Sequence, residues 1–111
     1  MQLNDVAFND IKSGKKTIEA RIYDEKRKQV LPGDTLTFTN RSKPIEQLTT
    51  LVLGISTFRD FGTMFKLLGT KAFGYEQDTT PEDAASGMQA YYPAEEVKKN
   101  GVVGIHIRVI P

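Results

Sequence analysis

The chain has 111 residues, enough for one domain with a real core and too few for several. Hydrophobic residues make up 39% and charged residues 26%, the balance of a soluble globule, and no apolar run approaches the roughly 20 residues of a membrane span. There are no cysteines and one histidine, His106, which excludes disulfides, thiolate chemistry and a His-rich metal site, while 15 Lys and Arg against 14 Asp and Glu leave a net charge of +1.

The N-terminus lacks the basic-then-apolar pattern of a secretory signal, and the missing cysteines fit a reducing, cytoplasmic setting. Neither a metal nor an organic cofactor is expected. Taken alone, the near-neutral charge argues against a generic nucleic-acid coat.

In chain order, Asn4 or Asp5 can cap a short helix whose buried residues are Val6, Phe8 and Ile11, with Gly14 placed to end it. A strand follows from about Thr17 to Tyr23. Ile18, Ala20 and Ile22 form its apolar face; Thr17, Glu19, Arg21 and Tyr23 form its polar face. The charged run 24–29 reads as a turn or one helical turn, and Pro32-Gly33-Asp34 as a turn. A second strand covers about Thr35 to Asn40, with Leu36 and Phe38 inward. A third, about Gln47 to Ser56, is more continuously apolar, which predicts a central strand covered on both faces.

Phe61, Met64, Phe65 and Leu68 recur at i, i+3, i+4 and i+7, one helical stripe that Gly69 can stop. Thr80-Pro81 opens a helix toward Tyr91, and Pro93 a last one that Asn100-Gly101 stops. The chain closes with a strand from Val102 to Ile110, where Gly104 marks close backbone packing. Strands in a run and helices in a cluster predict an α+β fold, one domain over residues 1–111, with a mostly antiparallel, barrel-like sheet. There is no βαβ pattern, no GxGxxG and no GxxxxGK[ST], so a dinucleotide-binding fold is not expected.

The informative segment is Gly14-Lys15-Lys16-Thr17-Ile18-Glu19-Ala20-Arg21, read as G-x-K-x-x-E-x-R. Glu19 and Arg21 are two apart and share a strand face. Lys16 has the opposite parity and joins them only if it lies in the turn after Gly14. Two cations with a carboxylate between them can hold a phosphate or polarise a carbonyl, while the carboxylate accepts from an exocyclic amine. The same spacing also arises as a solvated, salt-bridged strand face, where each pair is worth little.

The segment resembles the G-x-K-x-x-E-x-R motif of ASCH domains, a branch of the PUA-like superfamily. Gly14, Lys16, Glu19 and Arg21 match all four positions. The run from Phe8 through Phe38 and the ending Tyr91-Tyr92-Pro93 with Gly101 to Ile105 are also similar. The resemblance implies a small, mostly antiparallel β-barrel with flanking helices and a cleft beside the motif strand. Family members are thought to bind RNA or nucleotide-like ligands there. Some are amidohydrolases that deacetylate N4-acetylcytidine, and others have been linked to RNA cleavage.

By that resemblance Lys16 matches a catalytic lysine. This chain has Glu19 where those amidohydrolases carry a threonine nucleophile. Their glutamate before the second helix falls near Gln77, with Glu76 and Asp78 beside it.

Two functional readings follow. In the first, Gly14, Lys16, Glu19 and Arg21 build a site for RNA or a modified nucleoside, with Glu76 nearby and Tyr23, Tyr91 or Tyr92 stacking on a base. Ser56, Thr57 and Arg59 are placed at the cleft rim, and Lys26-Arg27-Lys28 extends it. In the second, Lys16 and Glu19 are catalytic: Glu19 activates water and Lys16 stabilises the oxyanion of an acylated nucleoside. A pure protein-interaction module has no positive signal. A monomer is compatible with the sequence, which does not specify the oligomeric state.

The charge distribution sharpens the first reading. Residues 12–28 hold seven basic residues and three acidic ones, while residues 76–96 hold six acidic residues and no basic one. The +1 is a cancellation between two regions, which suits a focused anionic-ligand site rather than a long phosphate-tracking surface.

Overall fold

Short helices form only when their ends are closed and one face is buried, and this sequence does both. A computed structural model describes all residues, Met1–Pro111. Helix α1 spans Asp5–Ser13; the Asn4 side chain accepts from the Ala7 amide at 2.8 Å, and Gly14 ends it at φ 85°. Helix α2 spans Phe61–Leu68 under an Asp60 cap, and α3 spans Pro81–Met88 under a Thr80 cap with Pro81 in its first turn. Helix α4 spans Ala94–Asn100 between Pro93 and Gly101. Each side-chain cap is worth about 1 kcal/mol.

Five strands form one sheet: β1 Gln2–Leu3, β2 Ile18–Ile22, β3 Thr35–Asn40, β4 Gln47–Phe58 and β5 Val102–Val109. A single 3₁₀ turn, Arg27–Gln29, lies between β2 and β3. The strand order is β1-β3-β4-β5-β2, with β1–β3 parallel and the other pairings antiparallel. The architecture is α+β, a mixed five-stranded sheet curled into a half-barrel with four helices. Its edge strands β1 and β2 share no ladder. Instead Arg21 of β2 donates from Nη2 to the Gln2 carbonyl of β1 at 3.1 Å.

Two apolar clusters hold this together. Phe8 and Ile11 of α1 pack with Phe38, Leu48, Val52, Val103, Ile105 and Ile107 inside the curl. Phe61, Met64 and Phe65 of α2 pack with Phe73, Ala84, Met88, Ile18 and Val102 on the other side. Strand β5 is therefore covered on both faces. Gly104 lies in its middle, where a Cβ would sit 3.1 Å from Ile18 and 3.5 Å from the Met64 sulfur. The tight approach is to Ile18 of the adjacent strand β2, while the distance to Met64 of the helical layer is ordinary van der Waals contact.

Several expectations are corrected. Strand β4 is central in the sheet, but its outer face is open and Leu53 is 54% exposed. Leu53 follows the alternation set by the inward Thr50 and Val52, and a register shift between Val52 and Gly54 then changes the parity so that Ile55 packs on the core. Val6 is 70% exposed rather than buried. Helix α3 stops at Met88 instead of continuing toward Tyr91. Strand β1 was not expected, since two residues carry no periodicity.

The polar face of β2 is not a solvated face either, because Glu19 is only 3% exposed. Asn40, the last residue of β3, is fully buried; its Nδ2 donates to Asp5 Oδ1 at 2.9 Å and ties α1 to β3. No helix is long and apolar enough to cross a membrane.

Candidate functional site

The stretch from Gly14 to Ile18 is suspended between two elements. The left-handed Gly14 turns the chain out of α1, and the Lys16 amide then donates back to the Asp10 carbonyl at 2.9 Å. The Thr17 and Ile18 amides both donate to the Ala72 carbonyl, at 2.8 and 3.0 Å, and Lys16 forms an isolated bridge with Phe73. Regular strand pleating starts only at Ile18. Lys16 thus escapes the alternation that would point it away from Glu19, as its place in the turn requires. Gly74, at φ 91°, closes the arrangement: a Cβ there would lie 3.2 Å from the Lys16 Cβ and 3.3 Å from the Asp10 Oδ2.

Lys16 Nζ lies 2.7 Å from Glu19 Oε1, and Arg21 Nε donates to Glu19 Oε2 at 2.7 Å. The side chains of Lys16, Glu19 and Arg21 are 13, 4 and 15% exposed. Burial pushes the Glu19 carboxyl up, but Lys16 and Arg21 together outweigh it and hold it below the usual carboxylate range. Burial disfavours the charge on Arg21, yet Glu19 and the nearby Tyr92 phenol raise its pKa above the ordinary value. The network carries one surplus positive charge. Lys16 has one protein partner for three N–H donors, and Arg21 uses Nε and Nη2 of its five.

These side chains open into a cleft of about 370 Å³, within the range of small-molecule sites. Its floor is aromatic. Phe65 meets Phe73 edge-on at 4.8 Å and Tyr75 edge-on at 5.7 Å, and Tyr92 stacks on Phe61 at 5.7 Å. Burial, with smaller effects from Tyr91 and Glu19, pushes the Tyr75 phenol up, so it stays a neutral donor at neutral pH. Tyr91 is 67% exposed at the mouth.

The structure brings Lys16, Glu19, Arg21, Tyr91 and Tyr92 to one cleft and leaves three other expected residues outside its lining. Gly14 contributes the turn alone. Tyr23 packs beside the inner cluster with the Lys28 ammonium 5.7 Å from its ring centre. Glu76 pairs with Lys15 at 2.9 Å on the open surface. Ser56, Thr57 and Arg59 do not line the cleft, and His106 bonds Ser56 at 2.8 Å across two strands. Arg27 pairs with Asp24 and Lys28 with Glu25, so the basic run is tied up locally.

Five polar lining residues escaped the sequence reading of the site: Gln2, Asn4, Asp10, Arg41 and Tyr75. Asp10 lies on the helix before the motif, Arg41 in a turn and Tyr75 next to the suspected Glu76; only proximity in sequence to suspected residues could have flagged two of them. No group of three or more His, Asp or Glu side chains is arranged to hold a metal ion.

The comparisons with known proteins bear on the family and the fold. The sequence model of the ASCH domain family matches residues 1–111. The crystal structure of hypothetical protein PH0355 is similar at 34% identity and TM-score 0.84, covering 99% of this chain and 96% of that one. The solution structure of protein PF0455 from Pyrococcus furiosus is similar at 29% identity and TM-score 0.73, covering 99% and 98%. The ASCH protein of Zymomonas mobilis shares the fold at 17% identity and TM-score 0.62, covering 97% of this chain and 64% of that one. No curated protein is significantly similar to the chain. The chain belongs to the ASCH domain family, a family thought to bind RNA.

Proposed function

We propose that this ASCH domain binds RNA, or a modified nucleoside or nucleotide, in the cleft around Lys16, Glu19 and Arg21. One observation carries the reading: two cations are clamped on a buried carboxylate while their unused donors face an aromatic-lined cleft. A buried anchor fixes the donors in place, so a ligand need not order them. Phosphate or carbonyl oxygens suit Lys16 and Arg21, and a base suits the Tyr91–Tyr92 wall. We read the protein as cytoplasmic and the site as one that needs no metal or organic cofactor.

The hydrolytic alternative asks more of the same residues. Glu19 would have to take a proton while both its oxygens are paired with cations, which makes it a weak base. The binding reading uses the carboxylate as it stands.

The test is a titration of a short single-stranded RNA and of nucleoside monophosphates at two salt concentrations. Affinity falls with salt if phosphate is contacted. Lys16→Ala and Arg21→Lys are each expected to lose about tenfold or more in affinity. Arg21→Lys keeps the charge and guards against loss of fold. Salt-independent binding, or unchanged affinity in both variants, sinks the reading.

A further inference from the structure

Resting on that reading, we propose that Asp10, not Glu19, is the cleft's acceptor, and that it selects ligands presenting an N–H or O–H donor beside the oxygen held by Lys16 and Arg21. Asp10 is half-buried and lines the cleft. Its backbone carbonyl accepts from Lys16 and from the Ser13 hydroxyl. Its carboxylate takes part in no ion pair and no hydrogen bond within the chain. Glu19 is in the opposite state, with each oxygen paired at 2.7 Å.

Asp10 is also poorly placed for stability. It lies in the last turn of α1, where the carbonyl ends of the helix repel an anion. Lys15 is close enough for Asp10 to favour its charge, but Lys15 is bonded to Glu76. Gly74 leaves the room that the carboxylate occupies, since a Cβ there would lie 3.3 Å from Oδ2. The result is an unpaired carboxylate and spare cationic donors lining the same cleft. That pair reads a ligand edge on which a donor adjoins an acceptor. Such an edge exists on an amino-bearing base and at a ribose hydroxyl. A carbonyl in place of the donor would face the carboxylate oxygen and be repelled.

The experiment measures the affinities of cytidine, uridine and 2′-deoxycytidine 5′-monophosphates for the wild type and for Asp10→Asn. Ratios are compared, because losing a negative charge raises affinity for every anion. A wild-type preference of about tenfold for cytidine over uridine, reduced below about threefold in Asp10→Asn, supports the proposal with a base amine as the donor. A similar preference for ribose over deoxyribose, lost in the same variant, supports it with a sugar hydroxyl as the donor. Equal binding of all three, or a preference that survives Asp10→Asn, overturns it while leaving the cleft reading intact if Lys16→Ala still weakens binding. No saturable binding of any of the three overturns both. Asp10→Asn is expected to melt no lower than the wild type, since the side chain makes no internal bond.

Discussion

Lys15 and Lys16 are adjacent in sequence and opposite in circumstance. Lys15 pairs with Glu76 on the surface, with side chains 47 and 76% exposed. Lys16 pairs with Glu19 inside the cleft, with side chains 13 and 4% exposed. The two N···O distances, 2.9 and 2.7 Å, barely differ. Their energetic meaning differs because water screens one pair and not the other. An exposed pair loses in side-chain order much of what it gains in attraction. A buried one cannot lose a partner without stranding a charge. Distance alone therefore does not separate an incidental ion pair from one that builds a site.

The largest expected effect comes from removing the shared carboxylate. Glu19→Ala leaves Lys16 and Arg21 as two desolvated like charges, and unfolding in urea is expected to show a loss of about 3–5 kcal/mol. A loss below about 1 kcal/mol would place the buried pair in the same class as the exposed one.

A smaller effect is expected from acid, which removes the charge but keeps the side chain. Folding lowers the Glu19 pKa below its ordinary 4.5. The resulting stabilisation is full above that value and is lost as pH falls through the lower folded pKa. The stability of the wild type relative to Glu19→Gln should accordingly be constant at neutral pH and shrink in acid. A difference that stays flat down to the acid transition would mean that Glu19 gains nothing from its cations.

The smallest effect belongs to the surface pair. Glu76→Ala is expected to leave the urea midpoint and ligand affinity unchanged, at low and at high salt. A clear drop in affinity would return Glu76 to the site.

Much of the fold was legible because it is written in short-range chemistry. Asn4, Asp60 and Thr80 are side-chain caps, Gly14 and Gly101 end helices, and β3 runs from Thr35 to Asn40 as its alternation requires. Glu19 and Arg21 meet as their spacing implied, and Lys16, of opposite parity, joins them from the turn after Gly14. Legibility failed where two distant segments act together. Strand β1 exists because Gln2 and Leu3 find Thr39 and Asn40. The Glu19 face is buried because it sits beside Ile105 and Val103 on the inner side of the curl, where the loop through Gly74 and Tyr75 closes the cleft. Ile55 faces in, out of step with Val52, because of a local register shift that apolar composition does not reveal.

By itself the sequence determined the elements, their ends, the sheet-plus-helices class and the three charged residues of the motif. These depend on dihedral preferences, caps and periods that span a few residues. Only the tertiary structure decided which lysine is buried, that Arg21 bridges the sheet edges through Gln2, and that Asp10 and Arg41 share a cleft with Tyr75 and Tyr91. Those outcomes depend on the curl of the sheet and on which layer covers which face. Both are set by packing between residues far apart in the chain, where local preference has no reach.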